Sequence, residues 1–290
     1  MAAVGALFAV GLIAAAALGA ASVLLSRRFS PRLALAGDRL VDRVGQFRRF
    51  RDVIAAVAVA LCGSLVVVAG AWPLGLGLAR LEDSVDRPVF DWMDRHLTRH
   101  SWFTRAAQRL TEFGNNRPSQ ILCVVAGVAL AAWWRAKSPE RRRVWWFPLA
   151  ALVGMNLAER FGQTFLARAV DRGHPPATFG RTLGTYPSGG SARVVCIWGL
   201  VGVLIVATPR RRRRPTVVIA LGVLVAVAAF VEGYTRTYLL KHWLTDVVGG
   251  WLFGALLLAV FASAVALVTR VRASVARPGD GDGTAAEAPT

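Results

Sequence analysis

Tyr234-Thr-Arg-Thr-Tyr-Leu-Leu-Lys-His-Trp-Leu-Thr-Asp246 lies between two long apolar runs and gathers Arg236, His242 and Asp246 within eleven residues. His242 and Asp246 are four apart, so on a helix they share one face. There a carboxylate accepts a hydrogen bond from one imidazole nitrogen. That fixes the tautomer and leaves the other nitrogen to act as nucleophile or base. Arg236 adds a fixed cation suited to an oxyanion or a phosphate. The opening of the next helix presents backbone N–H groups that favour an anion. The bland reading of the same residues is an interfacial histidine and an ordinary acid at a helix N-terminus, and the spacing alone does not separate the two.

Moving outward, the 290 residues are 55% hydrophobic and carry a net charge of +18, from 35 Lys and Arg against 17 Asp and Glu. In a soluble chain such a balance points to nucleic acid. Here the basic residues stand in blocks between apolar runs, which is the pattern of membrane topology, so nucleic acid is not expected as a partner. Seven runs approach the length of a bilayer crossing, 4–25, 53–79, 119–134, 144–166, 191–207, 216–231 and 246–268. The expected fold class is therefore all-α, a polytopic membrane helical bundle. Cys62, Cys123 and Cys196 each lie inside an apolar run without metal-ligand spacing, and are read as buried free thiols with no metal site.

The first run lacks a positive segment before it and has Arg27 and Arg28 after it. It reads as a membrane anchor with the N-terminus outside, a cleaved signal peptide being the alternative. Residues 27–52 hold eight arginines on an amphipathic pattern, as expected of a helix lying on an anionic inner leaflet. The segment after 270 is rich in Gly, Ala, Asp and Pro and is expected to be disordered. The expected organisation is thus an anchor and basic segment over 1–52, a six-span membrane domain over 53–269, and a tail over 270–290.

Segments 27–52, 135–143, 209–214 and 270–277 hold 21 Lys and Arg together, against 12 in the opposite segments 80–118, 166–190 and 234–245. The positive-inside rule makes the first four cytoplasmic. The segments before 191 and before 246 then share the extracytoplasmic face and can build one site at the membrane boundary. Within the fourth run, Asn156, Glu159, Arg160 and Gln163 recur at helical spacing, which marks a polar face turned into the bundle. Glu232 and Arg236 are also four apart and are placed to pair.

Two further clusters share that face. Tyr186-Pro-Ser-Gly-Gly-Ser191 opens the fifth span, where the hydroxyl of Ser188 and the backbone of Gly189 and Gly190 can cradle phosphate oxygens. Upstream, Arg168-Ala-Val-Asp-Arg172-Gly-His174-Pro-Pro176 adds two arginines and a histidine. Together the three pieces resemble the type-2 phosphatidic acid phosphatase superfamily, which also includes vanadium haloperoxidases and bacterial acid phosphatases. Its third motif, Ser-Arg-x5-His-x3-Asp, is matched by Arg236, His242 and Asp246, with Thr235 for the serine. Its second, Pro-Ser-Gly-His, is matched by Pro187, Ser188 and Gly189, with Gly190 at the histidine. Its first, Lys-x6-Arg-Pro, is matched loosely: Ala167 falls at the lysine with Arg168 beside it, His174 at the arginine, and Pro175 at the proline. The resemblance covers the six spans from 53 to 268, with the first span as an addition.

The resemblance implies a lipid phosphatase or diphosphatase of the cell membrane, working at the extracytoplasmic face on a phospholipid or isoprenoid phosphate, with no cofactor. His242 forms a phosphohistidine and Asp246 orients it. Arg236, Arg168 and Arg172 neutralise the phosphate oxygens, and Ser188, Gly189 and Gly190 complete the cradle. The family's second-motif histidine protonates the leaving oxygen, and His174 stands as its possible replacement. Two other classes compete. One is a catalytically impaired relative that binds lipid phosphate headgroups. The other is a transporter, which predicts an inverted repeat that the chain does not display. The sequence names neither the lipid nor the oligomeric state.

Overall fold

The computed structural model describes residues 51–97, 101–137, 142, 144–172, 185–207 and 215–275. The expected N-terminal anchor, nearly all of the basic 27–52 segment, the arginine run 210–214, His174 and residues 276–290 of the tail lie outside the described residues, whereas residues 270–275, expected to begin a disordered tail, continue the last helix. The elements run in order: α1 (Arg51–Ala79), a π-helical turn (Glu82–Asp86), α2 (Arg87–His96), α3 (Trp102–Leu110), α4 (Asn116–Lys137), α5 (Phe147–Ala169), α6 (Gly189–Arg193), a second π-helical turn (Val194–Trp198), α7 (Gly199–Ala207), α8 (Pro215–Tyr238) and α9 (Leu244–Val275). No strand occurs among the described residues.

Among the described residues, five stretches are long and apolar enough to cross a membrane: Asp52–Ala79, Asn116–Ala136, Gly189–Ala207, Pro215–Tyr238 and Leu244–Thr269. The 23-residue α5 is also of spanning length but carries Glu159, Arg160 and Arg168. Many large apolar side chains face outward, among them Ile54, Leu61, Leu65 and Val66 on α1, Ile121 and Val125 on α4, and Leu157 and Phe161 on α5. A surface of that kind suits lipid, not water. Because lipid tails are as apolar as leucine, association here rests on close packing and polar contacts between helices.

The central packing joins α9 to α1, and α5 to both. Its core includes Leu152, Met155 and Leu166 of α5, Leu200 and Leu204 of α7, and Phe253 and Leu257 of α9. Tyr186 pins one end of this bundle. Its ring lies between Gly75 of α1 and Gly249 of α9, where a Cβ on either glycine would overlap it. Its hydroxyl donates to the Ala71 carbonyl at 3.0 Å. Burial and, next, the charge of Asp246 push the Tyr186 phenol up to about 12, so it stays a donor at any ordinary pH.

A smaller cluster caps the same end. Met93 of α2 and Ala107 of α3 pack on Tyr238, Leu239 and Leu240. Ser101 caps α3 by accepting from the Thr104 amide at 3.0 Å. The Thr104 hydroxyl meets Tyr238 Oη at 2.9 Å. Phe103 meets the Tyr238 ring edge-on at 5.1 Å. Phe90 and Phe103 cover the turn that holds His242, while Trp102 stays exposed.

Three sequence expectations change in detail. Cys62 is exposed on an outward face of α1, whereas Cys123 and Cys196 are buried. An apolar run gives no sign of which side of a helix meets lipid. The sixth span continues to Tyr238, so Thr235 and Arg236 belong to a helix and not to a loop. Pairing of Arg236 with Glu232 one turn earlier lets the helix carry both charges inside. Of the polar face on α5, Asn156 and Glu159 are buried and Gln163 is half-buried, but Arg160 points outward.

Candidate active site

The site is built where α8 ends and α9 begins. α8 stops in a Schellman turn: the Lys241 amide donates to the Arg236 carbonyl at 2.9 Å and the Leu240 amide to Thr237 at 3.0 Å. Leu240 takes the left-handed position with φ 57°. Glycine usually fills that position, and a left-handed leucine costs about 1–2 kcal/mol. Burial of Leu240 in the cap offsets that cost. The reversal brings His242 back toward the bundle.

α9 starts at Leu244, so His242 precedes the helix and does not share a helical face with Asp246. The two still meet. His242 Nδ1 lies 3.9 Å from Asp246 Oδ2 and 3.1 Å from the Thr185 carbonyl oxygen. A carbonyl only accepts, so Nδ1 carries the proton, and in the neutral ring Nε2 carries the lone pair. Asp246, fully buried, also accepts from the Trp243 amide at 3.2 Å, the reach-back of a capping box.

The second cluster docks directly on this pair. The Ser188 amide donates to the Asp246 carbonyl at 3.0 Å, and the Ser188 hydroxyl meets Ser191 Oγ at 3.0 Å. Gly189 and Gly190 open α6, both buried. The Arg236 guanidinium lies against Gly190, where a Cβ would overlap it. Thr185, Ser188, Gly190, Arg236, His242 and Asp246 therefore form one connected, buried cluster drawn from two distant stretches.

Each buried arginine of the site has a carboxylate partner. Arg236 Nε donates to Glu232 Oε1 at 2.5 Å, and Nη2 to Asn115 Oδ1 at 3.1 Å. Arg193, beside Gly189, donates through Nη1 to Glu159 Oε1 at 3.1 Å and through Nε to the Gly114 carbonyl at 2.9 Å. Arg172 bonds Asp86 and Thr245 and reaches Asp246 Oδ1 at 3.2 Å. Among the described residues, Arg236 Nη1 and Arg193 Nη2 bear no hydrogen bond, so each keeps one edge for an anion. Half-buried Lys241 follows Arg236, and burial first, then the Arg236 charge, holds its ammonium below the usual lysine range.

Of the expected phosphate ligands, Arg236, Ser188, Gly189 and Gly190 come together. Arg172 joins them but is turned toward carboxylates, a setting that suits holding Asp246 more than receiving phosphate. Arg168 is exposed beside Phe161, Thr164, Phe165 and Ala169, on the outward side of α5. Several residues of the site escaped the sequence reading, among them Thr185, Arg193, Asp86 and Asn115. Arg193 carried a usable signal, since it is a charge inside an apolar span. Asp86 and Asn115 carried none, being single polar residues in a mixed-charge segment.

Comparison with known proteins follows the same lines. Residues 165–270 match the family model described as the PAP2 superfamily, a segment that holds all three sequence clusters. A crystal structure of a transmembrane PAP2-type phosphatidylglycerolphosphate phosphatase from Bacillus subtilis shares the fold, with a TM-score of 0.56 and 20% identity. The likeness covers 68% of this chain and 94% of that one. No curated protein matches the chain.

Proposed function

We propose that this chain, a member of the PAP2 superfamily and a multi-pass membrane protein, hydrolyses phosphorylated lipid through a phosphohistidine at His242. The observation that supports it most is the connected cluster of His242, Asp246, Arg236, Ser188 and Gly190. It sets a nucleophilic nitrogen, its orienting carboxylate and an arginine edge beside the start of a helix. His242 Nε2 attacks phosphorus, the N–P bond forms, and the bond to the leaving oxygen breaks. Water then cleaves the phosphohistidine and releases inorganic phosphate. Asp246 keeps the ring oriented and offsets the imidazolium charge. Arg236 and Arg193 face the phosphate oxygens, while buried Arg172 holds Asp246 and Arg168, outward on α5, takes no part in the cluster. On the charge asymmetry of the sequence, the site faces the extracytoplasmic side of the cell membrane.

Gly190 decides the substrate preference. With glycine there, no side chain at that position protonates the leaving oxygen. His174 is the remaining candidate acid. Loss of a general acid typically lowers rates by about 10²–10⁴. A lipid alkoxide suffers the full loss, whereas a phosphate leaves readily as an anion. Purified protein should therefore release phosphate faster from an isoprenoid diphosphate than from phosphatidic acid or phosphatidylglycerol phosphate. Equal rates on both classes would remove the role assigned to Gly190.

A second prediction follows from the contact at Gly190. Gly190→Ala pushes the Arg236 guanidinium off its place against the helix start. One charge-assisted hydrogen bond is worth about 1.5–3 kcal/mol, so KM should rise by about tenfold to a hundredfold. Steady-state kinetics check it, and an unchanged KM would take Arg236 out of phosphate binding.

One observation favours a second reading. Among the buried, described residues of the site, Arg172, Arg193 and Arg236 face Asp86, Glu159, Glu232 and Asp246, so arriving phosphate competes with carboxylates for each guanidinium. A catalytically impaired protein that binds lipid phosphate headgroups fits that balance. Saturable binding of phosphatidic acid in nanodiscs, with no phosphate released from any of the three lipids, would establish it.

A further inference from the structure

Asp86 lies at the end of the first π-helical turn, outside every stretch that the three motifs or the family match occupy. It is only 1% exposed, although the neighbouring acids Glu82 and Asp83 reach solvent. A carboxylate buried that deeply needs partners. Asp86 accepts from the Thr245 amide at 2.9 Å, from the Thr245 hydroxyl at 2.6 Å and from Arg172 Nη2. Arg172 continues the chain, bonding Thr245 Oγ1 at 2.5 Å and Asp246 Oδ1 at 3.2 Å. The other oxygen of Asp246 faces Trp243 N and His242.

Resting on the hydrolase reading above, we propose that Asp86 is a positioning residue for the His242–Asp246 pair, acting through Arg172 and through the first turn of α9. Two effects combine. Its carboxylate satisfies a first-turn N–H of α9, which fixes the helix start that carries Asp246. Its charge balances Arg172, so the guanidinium holds Asp246 Oδ1 without cancelling the negative charge that the imidazolium needs. The Arg172 plane is further steadied over the Trp243 ring, 5.7 Å from its centroid. The two Asp246 oxygens are thereby divided, one for Arg172 and one for the histidine side.

The test separates charge from shape. Asp86→Asn keeps an acceptor for the Thr245 amide and removes the charge; Asp86→Glu keeps the charge on a longer arm. In the purified full chain, Asp86→Asn should lower kcat by about 10- to 100-fold, the usual loss when an outer partner that orients a reacting group is removed, with KM within about twofold. Asp86→Glu should recover part of that loss. A second readout does not depend on turnover: carbethoxylation by diethylpyrocarbonate, followed peptide by peptide. His242 should react several-fold faster in Asp86→Asn at fixed pH, with His96 unchanged as the internal control. If no lipid phosphate is hydrolysed by the unmodified protein but His242 reactivity still shifts, the hydrolase reading falls and the positioning role stands. Unchanged His242 reactivity, an unchanged kcat where turnover exists, or a KM rising in step with the fall in kcat would each overturn it.

Discussion

His242→Ala is expected to reduce phosphate release from every lipid tested by about 10⁴-fold or more, the scale seen when a covalent nucleophile is removed from a hydrolase. No other side chain in the connected cluster supplies an imidazole nitrogen that can form the covalent bond. The phosphohistidine should disappear with it, measured by acid-labile, base-stable labelling from a radiolabelled substrate. Asp246→Asn should lower kcat strongly as well, since the neutral amide no longer balances an imidazolium, while KM changes little. Labelling that survives in His242→Ala would move the covalent step to another residue. Undiminished turnover would remove the histidine from the reaction altogether.

The second large effect concerns stability. Glu159 of α5 is fully buried, and Arg193 of α6 reaches it with two contacts, 3.1 and 3.2 Å. Glu159→Leu leaves the Arg193 guanidinium buried with only the Gly114 carbonyl beside it. Breaking a buried pair in this way typically costs about 3–5 kcal/mol, much of it from the uncompensated charge. The variant should lose most of its folded yield in detergent and unfold at a clearly lower temperature. Glu159→Leu combined with Arg193→Met removes both charges and should regain most of the lost stability, though not full activity if Arg193 faces phosphate. Thermal unfolding of the purified single and double variants checks both statements. A double variant as unstable as the single one would show that the loss comes from packing and not from the stranded charge.

Much of the architecture was legible in the chain. Hydropathy located the helices of the bundle because a bilayer demands about 20 apolar residues in a row, and that demand is local. The turn at Pro187-Ser-Gly and the pairing of Glu232 with Arg236 were legible for the same reason, since both partners lie within a few residues. The neighbourhood of His242 and Asp246 was also correct, although by another geometry. The sequence suggested one helical face, whereas a Schellman stop followed by a capping reach-back brings the two side chains within 3.9 Å. The left-handed Leu240 that makes the stop has no glycine to announce it.

What only the tertiary structure decided is how the charges are shared. Arg172 is bonded to residues 86, 245 and 246, Arg193 to residues 114 and 159, and Arg236 to residues 115 and 232. Most of these partners lie tens of residues away, and nothing in the spacing of arginines tells which carboxylate each will meet. Arg168 and Arg172 illustrate the limit. They are four apart in one basic stretch and looked equivalent, yet Arg168 faces outward from α5 and Arg172 is buried against Asp86 and Asp246. The chain by itself determined a membrane-spanning helical bundle and the turns that carry the motif residues, because those follow from local patterns. The ionic frame around His242 arises only when distant segments pack, because a buried charge is tolerated only where folding brings it a partner.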